Sequence, residues 1–197
     1  MCITVLELAR RRRSIRVYKE EPVALEDVLY AIETAIEAPS GANRQPWRFI
    51  LVTDNTLKAK IRAVCEKYEK KLHSSEGLPS WFREWLAERR ITWRKEFLTS
   101  APYLLLVLAD TRQPYWREST WLAVGYLLLA LEEKGLASLT YTPPNPRAIA
   151  ELLGIPRHFS LETIIPIGKP GEYKEKELRM KLERVLCYNT FCFQTNG

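Results

Sequence analysis

The groups best able to do chemistry in this chain fall in two short stretches. In Arg12-Arg13-Ser14-Ile15-Arg16, guanidiniums and a hydroxyl gather where a helix-forming run meets an extended one. Residues two apart in an extended segment share a face, so Ser14 and Arg16 can point together. Arg offers fork-shaped donors to anionic oxygens, and the set suits a phosphate. The same residues also read as a solvated basic helix end that complements the helix dipole. The second stretch is Ala38-Pro39-Ser40-Gly41-Ala42-Asn43-Arg44-Gln45-Pro46-Trp47, directly ahead of the apolar Phe49-Ile50-Leu51-Val52. Pro39 and Gly41 shape the backbone, and Gly41 can expose an N–H to a ligand. Ser40, Asn43 and Gln45 carry donors and acceptors able to read the polar edge of a flat heterocycle. An ordinary helix-stop turn with local side-chain hydrogen bonds accounts for them equally well.

These stretches need elements to hold them. Thr4 caps a short helix through Arg13, followed by extended Ser14–Tyr18. Leu25, Val28, Leu29, Ile32 and Ile36 repeat at helical spacing, and Pro39 lies beyond the end. Trp47–Thr53 reads as a strand, and Leu57, Ile61, Val64, Cys65, Tyr68 and Leu72 mark a third helix. Ser74–Arg94 carries Trp81, Trp85 and Trp93 among many charges, without a clean core stripe. Tyr103–Ala109 is a strand. Trp121–Leu131 is an almost wholly apolar helix, expected to be buried on most sides, and Gly135 stops it. Ala137–Thr142 reads as a strand, Pro146 starts a helix that ends before Gly154, and Leu161–Gly168 reads as another strand. Short, Pro-rich connections and a central apolar helix favour α+β: a mixed, mainly antiparallel sheet flanked by helices. A doubly wound sheet is the alternative, but neither G-x-G-x-x-G after a strand nor a P-loop is present.

The 197 residues carry 46% apolar and 27% charged side chains, with 30 Lys and Arg against 24 Asp and Glu, a net charge of +6. One domain spanning 1–197 is expected. The positive balance suits an anionic ligand. Arg10–Arg13, the basic tail and the tryptophans could instead serve a nucleic-acid-binding module, but the charge is mixed and the tryptophans lie among Glu84, Glu88 and Glu96. No nucleic-acid partner is expected. No apolar run reaches the roughly 20 residues of a membrane span, and the N-terminus does not read as a secretory signal. A cytoplasmic protein without membrane association is expected, with no metal site. Cys187 and Cys192 could approach each other, but a reduced pair suits that compartment.

Together the two stretches resemble the flavin-dependent nitroreductase family, in which R-R-S-x-R and A-P-S-G-x-N-x-Q-P-W segments hold flavin mononucleotide (FMN). "ITWRKEFLTSAPYLLLVL", "GYLLLALEEKGLASLTYTPPNP", "ELLGIPRHF" and "IIPIGKP" are similar to its iodotyrosine deiodinase-like branch, over about residues 10 to 187. The resemblance implies a homodimer with FMN at the subunit interface, and NAD(P)H as the electron donor. It implies that Arg12, Arg13, Ser14, Arg16, Pro39, Ser40, Gly41 and Asn43 bind the cofactor. Thr140, Tyr141 and Thr142 would lie along the flavin, with the catalytic Thr142 hydroxyl at N5, and Arg179 would hold the phosphate.

A lid at about residues 68–95 and an extension at 170–197 follow from the same resemblance. In that branch a Glu, a Tyr four residues later and a Lys bind the amino acid part of a halotyrosine. Lys95 matches the Lys. Counting back without a gap reaches Lys70 and Ser74, whereas one extra residue reaches Glu69 and His73, which keeps the acid and replaces the Tyr. Glu69 and His73, with Ala42, are the substrate candidates, although taken bare both read as surface residues. Trp81, Trp85 and Trp93 suit lid packing or a substrate wall. The implied function is reduction of a small aromatic stacked on the flavin, including reductive dehalogenation of a halotyrosine or halophenol. A general NAD(P)H-dependent nitroreductase or flavin reductase is the alternative, as is a relative that turns over the flavin itself.

Overall fold

Alternation along two central strands organises the molecule, whose computed structural model describes residues 3–193. The strands β1 (Trp47–Val52), β2 (Tyr103–Asp110), β3 (Ala137–Ser138) and β4 (Phe159–Gly168) form one sheet in the order β1-β2-β4-β3. Every neighbouring pair is antiparallel. Successive strand residues point to opposite faces, so Leu104, Leu106 and Leu108 of β2 enter one core and Leu105 and Val107 the other. The first core is closed by α3 (Asn55–His73), α5 (Phe97–Ser100) and α7 (Pro146–Leu152), through Ile61, Leu98 and Ile149. The second is closed by α2 (Leu25–Ile36) and α6 (Trp116–Glu133), where Ala31 and Ala35 meet Ala123 and Leu127. A bulge carries the β2–β4 register from Val107–Thr163 to Leu108–Leu161, leaving Glu162 as the extra residue. This is the expected α+β class, with helices on both faces.

Local signals set the element ends. Thr4 and Glu7 form a reciprocal capping box at the start of α1 (Val5–Arg11). Asp54 accepts from the Leu57 N–H at 2.6 Å ahead of α3, and Asn145 from the Ala148 N–H at 3.1 Å ahead of α7. Gly135 and Gly154 end α6 and α7 at φ +65°, where a side chain would be strained. The lid region contains α4 (Ser80–Glu88).

Three expectations need correction, and the helix read over α2 adds a detail of its own. The apolar α6 is not buried on most sides of this chain: Trp121, Leu122 and Tyr126 are exposed. In α2 the buried stripe is Val28, Ala31 and Ala35, while Leu25, Leu29 and Ile36 face outward. Helices with apolar residues on two faces close a core with one and leave the other available. The segment 137–142 pairs as a strand only at Ala137–Ser138, with one further bridge between Tyr141 and Ile164. Finally, Cys187 and Cys192 form a disulfide rather than a reduced pair. The turn between them brings their Cα atoms to 5.7 Å, inside the bridging range.

The C-terminal extension leaves the sheet after Gly168 and forms a single short turn of helix at Leu182–Arg184. Leu178 in it is 98% exposed. Among the described residues no helix is long and apolar enough to cross a membrane. Leu106 is fully buried in the first core. Leu106→Ala is expected to destabilise the fold by about 2–5 kcal/mol, read as a lower urea midpoint with an unchanged slope.

Candidate active site

A cavity of about 1080 Å³ opens between the Arg12–Val17 segment, the Leu139–Pro144 segment, the end of α3, the stretch from α4 to Phe97, and Glu172–Arg179 of the extension. One end of it is strongly basic. The Arg12 Nε and Nη2 atoms are buried with no hydrogen-bond partner among the described residues. Burial depresses the Arg12 pKa, and the Arg179 guanidinium adds to the effect. Burial likewise lowers Arg16. Lys176 donates to the Ala9 and Arg12 carbonyls at 2.9 and 3.0 Å, and it too is lowered, by burial and then by Arg179, Arg13 and Arg12. An orphaned buried guanidinium among repelling cations is costly unless an anion arrives. These groups therefore fit the phosphate of FMN.

Arg13 lines the cavity as well, with its guanidinium already bonded within the chain. It donates to the Arg10, Arg11 and Lys174 carbonyls at 2.6, 2.6 and 3.0 Å, and so ties the first helix to the extension. Ser14 lines the cavity and bridges Ser138 at the β3 edge of the sheet. Arg179 stands at the rim, donating to the Glu177 carbonyl at 3.1 Å.

The other end carries a charge pair. Lys95 Nζ lies 3.2 Å from Glu69 Oε2, with both side chains over nine-tenths buried. His73, one turn along α3, places Nε2 3.4 Å from the same oxygen. Lys95 Nζ also donates to the Thr92 carbonyl at 2.6 Å, and its backbone N–H to Glu66 Oε1 at 2.8 Å. Glu69 is thus a buried cavity residue, and the surface reading of it is corrected. The Glu69–His73 register is the one the structure brings to Lys95. Lys70 instead lies 3.9 Å over the Trp93 ring, and the Ser74 hydroxyl bonds back to the Lys70 carbonyl.

Thr140, Tyr141 and Thr142 line the wall between the two ends. Alternation sends the Tyr141 ring into the first core, edge-on to Phe97, while Thr142 stays exposed. Phe82 and Trp85 of α4 stack at 5.7 Å and line the cavity, whereas Trp81 is exposed.

Pro39, Ser40, Gly41, Ala42 and Asn43 are not brought to this cavity within one chain. Their loop leads into β1, and Ser14 lies beside β3 at the opposite edge of the sheet. Gly41 does not expose its N–H as expected: that group donates to Ser119 Oγ at 3.2 Å. A Cβ at Gly41 would come within 2.5 Å of the Tyr115 ring, so glycine is needed for that close approach. Ser40 Oγ accepts from the Gln45 N–H at 3.0 Å. Ala42, Asn43 and Gln45 hold φ of 50°, 53° and 46°. Left-handed backbone outside glycine stores strain of about 1–3 kcal/mol per residue and gathers at functional sites.

Sequence reasoning missed Lys176 and Glu172, hidden in a charge run that reads as a solvated tail, and the Tyr141 contact with Glu69. The acceptor is a carboxylate 72 residues away, and no local signal reports that distance.

The sequence model of the nitroreductase family matches residues 9–169. An iodotyrosine deiodinase of Thermotoga neapolitana is 51% identical over 94% of this chain and 97% of its own length. One from Haliscomenobacter hydrossis is 35% identical over 82% and 77%. The crystal structure of an oxidised iodotyrosine deiodinase bound to FMN and 3-iodo-L-tyrosine superposes with a TM-score of 0.90. It is 50% identical, covering 95% of this chain and all of that one.

Glu69→Ala leaves the Lys95 ammonium buried without its partner, and is expected to cost about 3–5 kcal/mol of stability in urea unfolding. Adding Lys95→Ala should destabilise by less than the sum of the two single changes.

Proposed function

Since this chain belongs to the nitroreductase family and is an FMN-dependent oxidoreductase, we propose that its reaction is the reductive dehalogenation of a halotyrosine. The observation that carries this reading is the buried Glu69–Lys95 pair on the cavity wall. A free amino acid brings an ammonium and a carboxylate, and both need partners once water is excluded. In this reading Glu69 takes the ammonium and Lys95 the carboxylate, exchanging their mutual contact for two new ones. His73 stands where it can bond the same end of the ligand.

FMN, when bound, supplies the electrons and the flat surface on which the aromatic ring stacks. Arg12, with Arg16 and Arg179, would hold its phosphate, and Ser14 would add a hydroxyl. The Thr140–Thr142 segment would lie along the ring system, the Thr142 hydroxyl donating to N5. The net change replaces the carbon–halogen bond by carbon–hydrogen. It consumes two electrons and one proton and releases halide, with NAD(P)H as the proposed source of electrons.

A homodimer completes the site in this reading. The strained Pro39–Asn43 loop lies at the opposite sheet edge from Ser14, so the loop of a second copy would reach the cavity and bring Pro39, Ser40, Gly41, Ala42 and Asn43 to the cofactor and substrate. The outward apolar faces of α2 and α6, and the exposed extension, support such a pairing. In this reading residues 1–197 form one domain, with a lid over about 68–95 and the extension over 170–197. The proposed location is the cytoplasm, where reduced nicotinamides are held, with the Cys187–Cys192 disulfide standing as an exception to the reducing conditions there.

Titrating 3-iodo-L-tyrosine into the FMN-loaded protein should quench the flavin fluorescence saturably. Lys95→Ala should weaken that binding by at least about thirtyfold, as truncating a buried charge partner does. A flavin-loaded wild type that does not respond, yet reduces nitroaromatics with NAD(P)H, would overturn the substrate assignment in favour of a general nitroreductase. Thr142→Ala should slow turnover of 3-iodo-L-tyrosine by about five- to tenfold, the loss of one hydrogen bond. FMN affinity should stay within twofold.

A further inference from the structure

We propose, resting on the halotyrosine reading above, that Tyr141 is a positioning residue that holds the Glu69 carboxylate for the ammonium of an amino acid, and so sets the preference for halotyrosine over a plain halophenol. The Tyr141 hydroxyl donates to Glu69 Oε1 at 2.8 Å, in a bond buried on both sides. Glu69 Oε2 is the oxygen that meets Lys95 at 3.2 Å and His73 at 3.4 Å. The two carboxylate oxygens are therefore divided. Oε1 is fixed from the core, and Oε2 is presented to the cations around the cavity. A carboxylate held at one oxygen cannot swing its other one away, and orientation of this kind is what a bound ammonium needs.

Tyr141 is itself held firmly. Its backbone exchanges hydrogen bonds with Ile164 of β4 at 2.9 and 2.8 Å, and its carbonyl also accepts from Thr163 Oγ1 at 3.1 Å. Its ring packs edge-on to Phe97 with centroids 5.4 Å apart. Cys65, one turn before Glu69 on α3, is buried in the same core as the Tyr141 ring. Burial, then the nearby Cys65 and Glu69, push the Tyr141 phenol far above its usual range, so it stays a donor at any working pH. Burial also raises the Cys65 thiol, to about 12, which keeps it neutral. Hydrogen bonds to a charged group are worth more than those between neutral groups.

The placement links two parts of the site. Tyr141 sits between Thr140 and Thr142, whose positions line the cavity on the proposed flavin side. One residue thus ties the wall beside the cofactor to the carboxylate that would read the amino acid. A phenol without the amino acid group has no charge for Glu69 to answer, so it gains nothing from this tie.

The test uses the FMN-loaded full chain and follows flavin quenching by 3-iodo-L-tyrosine and by 2-iodophenol. Tyr141→Phe keeps the ring and removes only the hydroxyl. It is expected to weaken 3-iodo-L-tyrosine about tenfold and to change 2-iodophenol by less than twofold. Because both ligands need the same folded, flavin-loaded protein, the ratio of the two affinities is unaffected by any partial loss of stability. In a Glu69→Gln background, Tyr141→Phe should add less than twofold for 3-iodo-L-tyrosine, since the carboxylate it orients is gone. Equal weakening of both ligands, or an undiminished effect in the Glu69→Gln background, would overturn the positioning role and leave the substrate reading standing. A wild type that binds neither ligand would overturn the substrate reading itself.

Discussion

An ammonium and a carboxylate held together almost out of contact with water set the terms for much of this structure. Taking two charges out of water costs several kcal/mol for each, and their attraction offsets that only when the remaining lone pairs and protons are also answered. Around Glu69 and Lys95 the remainder is met by the Tyr141 hydroxyl, the His73 ring and the Thr92 carbonyl. These come from α3, from the stretch ahead of α5 and from the segment after β3. The pair therefore fixes three chain segments around one wall of the cavity. It also explains the length of α3, whose 19 residues span about 28 Å at 1.5 Å per residue and deliver Glu69 and His73 at the far end.

At the opposite end the electrostatics are reversed. Glu69 and Lys95 answer each other, but Arg179 works against both Arg12 and Lys176, and burial depresses Arg12, Arg16 and Lys176. Glu172 offsets Arg16, and Glu132 offsets Arg12, without giving Arg12 Nε or Nη2 a hydrogen bond. One end of the cavity is thus self-satisfied and the other calls for an anion. A dianionic phosphate at one end and a zwitterion at the other would complete both, with flat ring systems between them along Thr140 and Thr142. That division of charge fits a cofactor that stays and a substrate that exchanges, because the resident group relieves the standing repulsion.

Apolar surface gives a second account of the same site. Helices α2 and α6 each close the second core with one face and carry Leu25, Leu29, Trp121, Leu122 and Tyr126 on the other. The loop with three non-glycine residues at positive φ starts from the end of α2 and is braced by Tyr115 and Ser119 at the start of α6. The outward faces and the strained loop are therefore built on the same two helices. Covering those faces with a second copy would bring that loop to a neighbouring cavity, and the backbone strain would then be held by the scaffold on which the dimer is proposed to form.

The sequence by itself determined the elements and the family. Thr4, Asp54, Asn145, Gly135 and Gly154 act on neighbours within a few residues, and the 2.0 and 3.6 periods appear directly as apolar spacing. The α+β class and the strands β1, β2 and β4 were legible for that reason. Arg12 and Arg16 could be named from the sequence as candidates for an anion grip because residue type and short spacing are local, whereas their burial in the cavity wall came from the fold. Tertiary structure alone decided the rest. Whether Glu69 with His73 or Lys70 with Ser74 faces Lys95 turned on a contact across 26 positions of chain. The outward face of α6 could not be told from a buried one, since periodicity reports apolarity and not what covers it. Arg13 and Gly41 found partners within the chain that their residue types did not announce. Burial, charge pairing and the separation of the two flavin-family segments to opposite sheet edges depend on long-range packing. Local patterning carries no record of the distances that packing creates.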